Sequence, residues 1–110
     1  MIESTEIRAL AKKIIQEEFK KIGISIKKLI LFGSQAMGTF EPDSDWDFLV
    51  CINDELAYQE KAKIIAEIQN RLAQYNISVD IIVKSEVRLN DEKTNVGYIT
   101  YYAMKNGVAV

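Results

Sequence analysis

Three short apolar runs constrain the fold of this chain more than any other feature of its sequence: Lys28-Leu29-Ile30-Leu31-Phe32, Asp47 to Ile52, and Ile77 to Val83. Their brevity and flanking turn residues read as strands, and the third is rich in β-branched side chains. Around them the apolar period changes to three and four. Ile7, Leu10, Ala11, Ile14, Ile15, Phe19 and Ile22 mark an amphipathic helix beginning near Ser4, with Glu6 in its first turn, Lys20 and Lys21 in its last, and Gly23 as its stop. A second helix is predicted from about Glu55, capped by Asn53-Asp54, to Tyr75, with Tyr58, Ala62, Ile65, Ile68/Gln69 and Leu72 as its stripe and Asn76 as its stop. Residues 35–44, with Gly38, Pro42 and Asp43, read as a turn, and Ser85 to Thr94 as an exposed loop. Tyr98 to Lys105 has helical spacing, Asn106-Gly107 ends it, and Val108 to Val110 suggests a short edge strand. The order predicts an α/β (α+β) fold, a small mixed sheet with helices packed on it, as one domain over residues 1–110.

What the chain lacks bounds its chemistry. It has no histidine and a single cysteine, Cys51, which excludes a Ser-His-Asp triad, a His base, a His-ligated metal and a Cys-rich zinc site within the chain. Fourteen Lys and Arg stand against sixteen Asp and Glu, so no basic stripe announces nucleic-acid binding. No apolar run approaches the roughly 18–20 residues of a membrane span, and Glu3 and Glu6 do not fit a signal peptide. A soluble, cytoplasmic protein is expected. Cys51, inside a strand, reads as a small buried hydrophobe, and Lys12, Lys13, Lys20 and Lys21 as a solvated helix face.

Three aspartates sit where a sheet would prefer apolar residues. Asp45 and Asp47 flank Trp46 at the mouth of the second strand, and residues two apart on a strand share a face. Like charges so placed repel and raise one pKa unless a cation lies between them. Asp80 interrupts the third run, where a buried lone carboxylate would be costly. If the two strands are neighbours, Asp80 can lie opposite the other two, and the set could hold Mg²⁺, even two ions roughly 3.5–4 Å apart. Turn or cap roles account equally well for Asp45 and Asp47 taken alone. Trp46 and Phe48 alternate with the aspartates and should pack on the opposite face, against helices, with base stacking a minor option for Trp46. Tyr98, Tyr101 and Tyr102 read as core or partner-facing aromatics.

Gly33-Ser34 directly follows the first strand, as a phosphate-cradling turn would: glycine permits close backbone approach and Ser34 adds a hydroxyl. Taken together, Gly33-Ser34, Asp45-x-Asp47 and Asp80 resemble the nucleotidyltransferase superfamily, in which a Gly-Ser pair precedes Asp-x-Asp and a third Asp lies on a later strand. The resemblance spans roughly residues 28–84. More narrowly, the chain resembles the minimal nucleotidyltransferases found as antitoxins of small helical HEPN-type ribonuclease toxins.

The resemblance implies a nucleotidyltransferase-like fold, with Gly33 and Ser34 binding nucleotide phosphates and Asp45 and Asp47 ligating Mg²⁺. Asp80 would complete the site as a metal ligand or as the base for the acceptor hydroxyl. AMP would pass from ATP to a hydroxyl, by analogy a tyrosine of a HEPN-type toxin, within a hetero-oligomer. The family often carries arginine at or near positions 35 and 37, where this chain has Gln35 and Met37. That departure raises a second reading, an antitoxin of weak or no activity that neutralises by binding alone. A third is a small-molecule nucleotidyltransferase of the antibiotic-modifying kind, which usually needs an additional acceptor-binding domain.

Overall fold

The computed structural model describes residues 4–38 and 44–110. Helix α1 runs Ser4–Lys21, strand β1 Ile26–Phe32, helix α2 Ser34–Met37, strand β2 Trp46–Ile52 and helix α3 Tyr58–Ala73. Strand β3 follows at Val79–Ser85, then helices α4, Glu86–Glu92, and α5, Ile99–Asn106, and strand β4, Val108–Ala109. The strands form one mixed sheet in the order β3-β2-β1-β4. β1 is antiparallel to β2 and β4, whereas β2 and β3 are parallel and joined through α3. The expected mixed sheet with helices packed on it is the observed architecture. The expected turn at Pro42 and Asp43 lies outside the described residues.

The period of two sorts each strand between two faces. On one face Leu29, Leu31, Trp46, Phe48, Val50, Ile52, Val79, Ile81 and Val83 pack on Ile14, Ile15 and Phe19 of α1 and Ile64, Ile68 and Leu72 of α3. Trp46 and Phe48 are therefore core residues against helices, as their alternation predicts. The other face has a smaller cluster, Ile30, Phe32, Leu49 and Cys51 under Leu89 of α4 and Ala103 of α5. Each fully buried aliphatic side chain contributes about 1.5–3 kcal/mol of transfer free energy, so the larger cluster dominates stability. Ion pairs from Arg71 to Glu17 (2.8 Å) and Glu18 (2.7 Å) fasten the end of α3 to α1. Gly23 and Asn76 stop their helices with left-handed φ values of 73° and 60°.

Several expectations need correction. The stripe of α3 is Ile64, Ile68 and Leu72, while Tyr58, expected on it, is 84% exposed. That helix starts at Tyr58 rather than Glu55, and Asp54 does not cap it, since Ala57 occupies the N-cap. Glu55 is instead drawn away from the helix by the Ser85 hydroxyl, which donates to its Oε1 at 2.7 Å. The expected loop at Ser85–Thr94 is largely helix α4, whose N–H of Arg88 donates to the Ser85 side chain at 3.2 Å. Tyr98 and Tyr102 are about half exposed, which takes these two out of the core, while Tyr101 is half-buried.

Candidate active site

The site forms where β1 ends and β2 and β3 begin. β1 closes on Phe32, and Gly33 then takes a φ of +77°, a conformation that L side chains rarely adopt. This turns the chain into α2, whose Ala36 and Met37 N–H groups both return to the Gly33 carbonyl at 3.2 Å. Gly38, at φ +73°, closes that single turn. The first N–H groups of the turn have no acceptor within it, as at any helix start.

Asp47 lies between two neighbours in the sheet, opposite Phe32 on one side and Asp80 on the other. Adjacent strands lie about 4.8 Å apart, so Asp47 and Asp80 stand side by side on the face away from α1 and α3. Asp45 precedes the first residue of β2 and is exposed, Asp47 is half-buried, and Asp80 is exposed. Gly33 completes the group, because a Cβ built there would land on the Asp47 carboxylate, with Cγ only 3.2 Å away. Glycine is thus required twice at position 33, by backbone angle and by the proximity of Asp47.

The electrostatics follow from this crowding. Burial pushes the Asp47 carboxyl above the ordinary aspartate range, and the charges of Asp80 and Asp45 push it further. No ion pair with Lys or Arg reaches Asp45, Asp47 or Asp80 among the described residues. Nor do three carboxylates among the described residues close into a ready-made metal cage. Mg²⁺ does not need one, since it takes one or two carboxylates and completes its shell with water and substrate phosphate. An uncompensated carboxylate set, beside a glycine whose absent Cβ leaves the Asp47 oxygens open, fits such an ion.

All five residues singled out in the sequence meet at this end of the sheet. Gln35 is an addition of the structure. It is buried, and its Nε2 donates to the Ser44 carbonyl at 3.1 Å, tying α2 to the residue before Asp45. In the sequence it stood out only as a missing arginine, and nothing there signals the bond. Met37 points outward, 60% exposed. Beyond Asp80 a groove of about 470 Å³ opens between the end of α3 and the start of β3.

Known proteins are similar to this chain in sequence and in fold. Residues 10–107 match the nucleotidyltransferase domain family. A protein of Methanocaldococcus jannaschii, MJ0141, assigned as a protein adenylyltransferase, is 34% identical over 92 residues, covering 77% of this chain and 93% of the relative. Two solved structures share the fold. One is a toxin–antitoxin structure with AMP-PNP, at TM-score 0.59 and 21% identity over 89% of this chain and 70% of that one. The other is a toxin–antitoxin pair, MntA-HpeT, carrying two Asp-to-Glu substitutions two residues apart, at TM-score 0.60 and 19% identity over 90% and 70% of the respective chains. With the family matched across most of its length and the curated relative matched nearly end to end, the chain belongs to the nucleotidyltransferase domain family and is a nucleotidyltransferase.

Proposed function

We propose that the chain is a cytoplasmic, ATP- and Mg²⁺-dependent protein adenylyltransferase that acts as an antitoxin, transferring AMP to a tyrosine hydroxyl of a HEPN-type toxin in a hetero-oligomer. The observation that carries this reading is the register Asp47–Asp80 beside the Gly33 turn, where the reading puts the phosphates. The assignment of MJ0141 and the toxin–antitoxin neighbours support the acceptor class and the partner.

In this reading the backbone N–H groups and hydroxyl at Gly33-Ser34 hold the triphosphate, as dipoles aimed at an anion. Asp45 and Asp47 would hold Mg²⁺, with Asp80 completing the shell or accepting the proton of the acceptor hydroxyl. The ion, when bound, neutralises charge on the attacking and leaving oxygens. The acceptor oxygen bonds to the α-phosphorus, the bond to the β-phosphate oxygen breaks, and pyrophosphate leaves.

A second reading is favoured by one observation. The Gln35 amide is spent on Ser44 and Met37 faces outward, so neither supplies the charge that a phosphate-holding arginine would. On that reading the chain neutralises its toxin by occlusion. A single experiment separates the two: incubation with α-labelled ATP, Mg²⁺ and the toxin, using wild type and the Asp45→Asn/Asp47→Asn double variant. Adenylyl transfer lost together with neutralisation supports the enzyme. Neutralisation that survives the double change intact leaves binding as the function.

A further inference from the structure

Helix α5 is apolar on two sides. Its buried side is formed by Thr100 and by Ala103, which belongs to the smaller cluster with Phe32 and Leu49. Tyr98, Ile99 and Tyr102, three and four positions apart, share a second flank, and each is about half exposed. Lys105 is the single charged residue of the helix. A helix apolar nearly all round is one that a further surface covers. Val96 in the preceding turn and Val87 of α4 are 61% and 68% exposed and widen the patch. The patch is also ordered in advance. The Gly97 N–H donates to the Asn95 side chain at 2.9 Å and the Tyr98 N–H to the Asn95 carbonyl at 3.1 Å, which fixes the turn carrying Val96. The Tyr102 ring stands edge-on to Tyr101, with centroids 5.1 Å apart. Groups held in place before contact lose little freedom on binding.

We infer that this α4–α5 roof is the surface on which the toxin docks, seating an apolar helix face on Tyr98, Ile99 and Tyr102. The inference rests on the toxin–antitoxin reading and adds the place where the two proteins meet. Position supports it. Leu49 and Cys51 share a face of β2 with Asp47, and they lie under Leu89 of α4 and Ala103 of α5. The roof therefore covers the same side of the sheet on which Asp47 and Asp80 project. Phe32, in the cluster with Ala103, is the residue paired with Asp47. A partner on the roof already stands on the side from which the carboxylates are reached. One seated on α1 and α3 would have the whole sheet in between.

Area and charge favour a different protein over a second copy of this chain. The five side chains expose roughly 500 Å², the size of patch that marks an interaction site. A standard interface takes about 800 Å² from each partner, so the roof needs a partner that continues past its rim toward the open carboxylate end. A second copy would meet the roof across a twofold axis, like against like. That would turn the two carboxylate faces toward each other and repel. The charges on α4 beside the patch do not oppose docking, because Arg88 is held by Glu55 and Glu92 by Lys84 and Thr100. A ridge of residues three and four apart is the form in which one helix packs against another.

The test measures binding of the full chain to the purified toxin by calorimetry, with wild type, Ile99→Ser/Tyr102→Ser and, as a control, Tyr58→Ser on α3. Affinity is expected to fall at least tenfold in the double variant and to stay unchanged in the control. In wild type, toxin should slow hydrogen exchange across residues 96–106, a readout that needs no substitution. Equal binding by the double variant, or protection confined to α1 and α3, would overturn the roof as the docking surface. So would sedimentation equilibrium in which the chain alone dimerises through Ile99 and Tyr102, since a second copy then covers the patch. A toxin that does not bind wild type overturns the partner reading and the roof together. Binding that needs the roof but is followed by no transfer from labelled ATP counts against adenylyl transfer alone.

Discussion

The side-chain amide of Gln35 and the backbone carbonyl of Ser44 meet at 3.1 Å across nine positions of sequence. The bond joins the turn that follows Gly33 to the residue before Asp45, so the two halves of the site share one brace. Gln35 is nearly fully buried, and its loss would leave the carbonyl without this donor. We expect Gln35→Leu to cost about 1–2 kcal/mol in urea unfolding and to lower adenylyl transfer about tenfold, as expected for a small displacement of a positioned group. Rates that stay at the wild-type level while the midpoint falls would make the brace purely structural.

At Gly33 the conflict is steric. A Cβ there meets the Asp47 carboxylate, and the backbone angle of +77° strains any L residue by about 1–3 kcal/mol. Gly33→Ala should lower transfer from labelled ATP at least a hundredfold, a loss of about 2.7 kcal/mol of transition-state stabilisation. The residue is not a member of the core cluster on the α1–α3 face, so circular dichroism should show the fold retained.

Glu92 gives the fold a pH dependence. It is 6% exposed, with Lys84 at 3.0 Å, the Thr100 hydroxyl donating at 2.9 Å and Arg88 at 3.9 Å. Burial raises its carboxyl pKa, but hydrogen bonds from Lys84 and Thr100 and the charges of Lys84 and Arg88 outweigh burial and hold it below the ordinary glutamate range. The fold therefore favours the ionised form. Its contribution is complete above the unfolded-state pKa of about 4.3 and is lost as pH falls through the lower folded-state value. Stability should thus decline more steeply below pH 5 in wild type than in Glu92→Gln. At pH 7 the same variant should lose about 3 kcal/mol in denaturant unfolding, because Lys84 is left largely buried without its partner.

Helix α4 depends on its cap. The Ser85 hydroxyl accepts from the Arg88 N–H and donates to Glu55, so Ser85→Ala removes both bonds. We expect a loss of about 1–2 kcal/mol, with hydrogen exchange faster across Glu86–Glu92 and unchanged in α1. Uniformly faster exchange would show that α4 is not a separate unit.

The strands and the carboxylates were legible in the sequence because period-two alternation and misplaced charge are local signals. Asp47 opposite Asp80 needed one further step, that the second and third strands are neighbours, and the parallel pairing across α3 supplies it. Helix α4 was not legible because it contributes one buried apolar residue, Leu89. Its other anchor is the buried carboxylate of Glu92, which hydropathy scores as surface. Tyr58 misled in the opposite sense, since an aromatic at helical spacing looks buried and here faces solvent. The Gln35 brace depends on how residues nine apart meet in space, which no local pattern encodes.

Trp46 and Phe48 belong to the main core, and Asp47 stands between them on the other side of the sheet. Sliding β2 by one position would drive the carboxylate in among aliphatic side chains and push the tryptophan and phenylalanine into water. Hydrophobic sorting therefore proofreads the chemistry: a molecule with its carboxylates misaligned has also lost its interior and does not persist as a folded but inert copy.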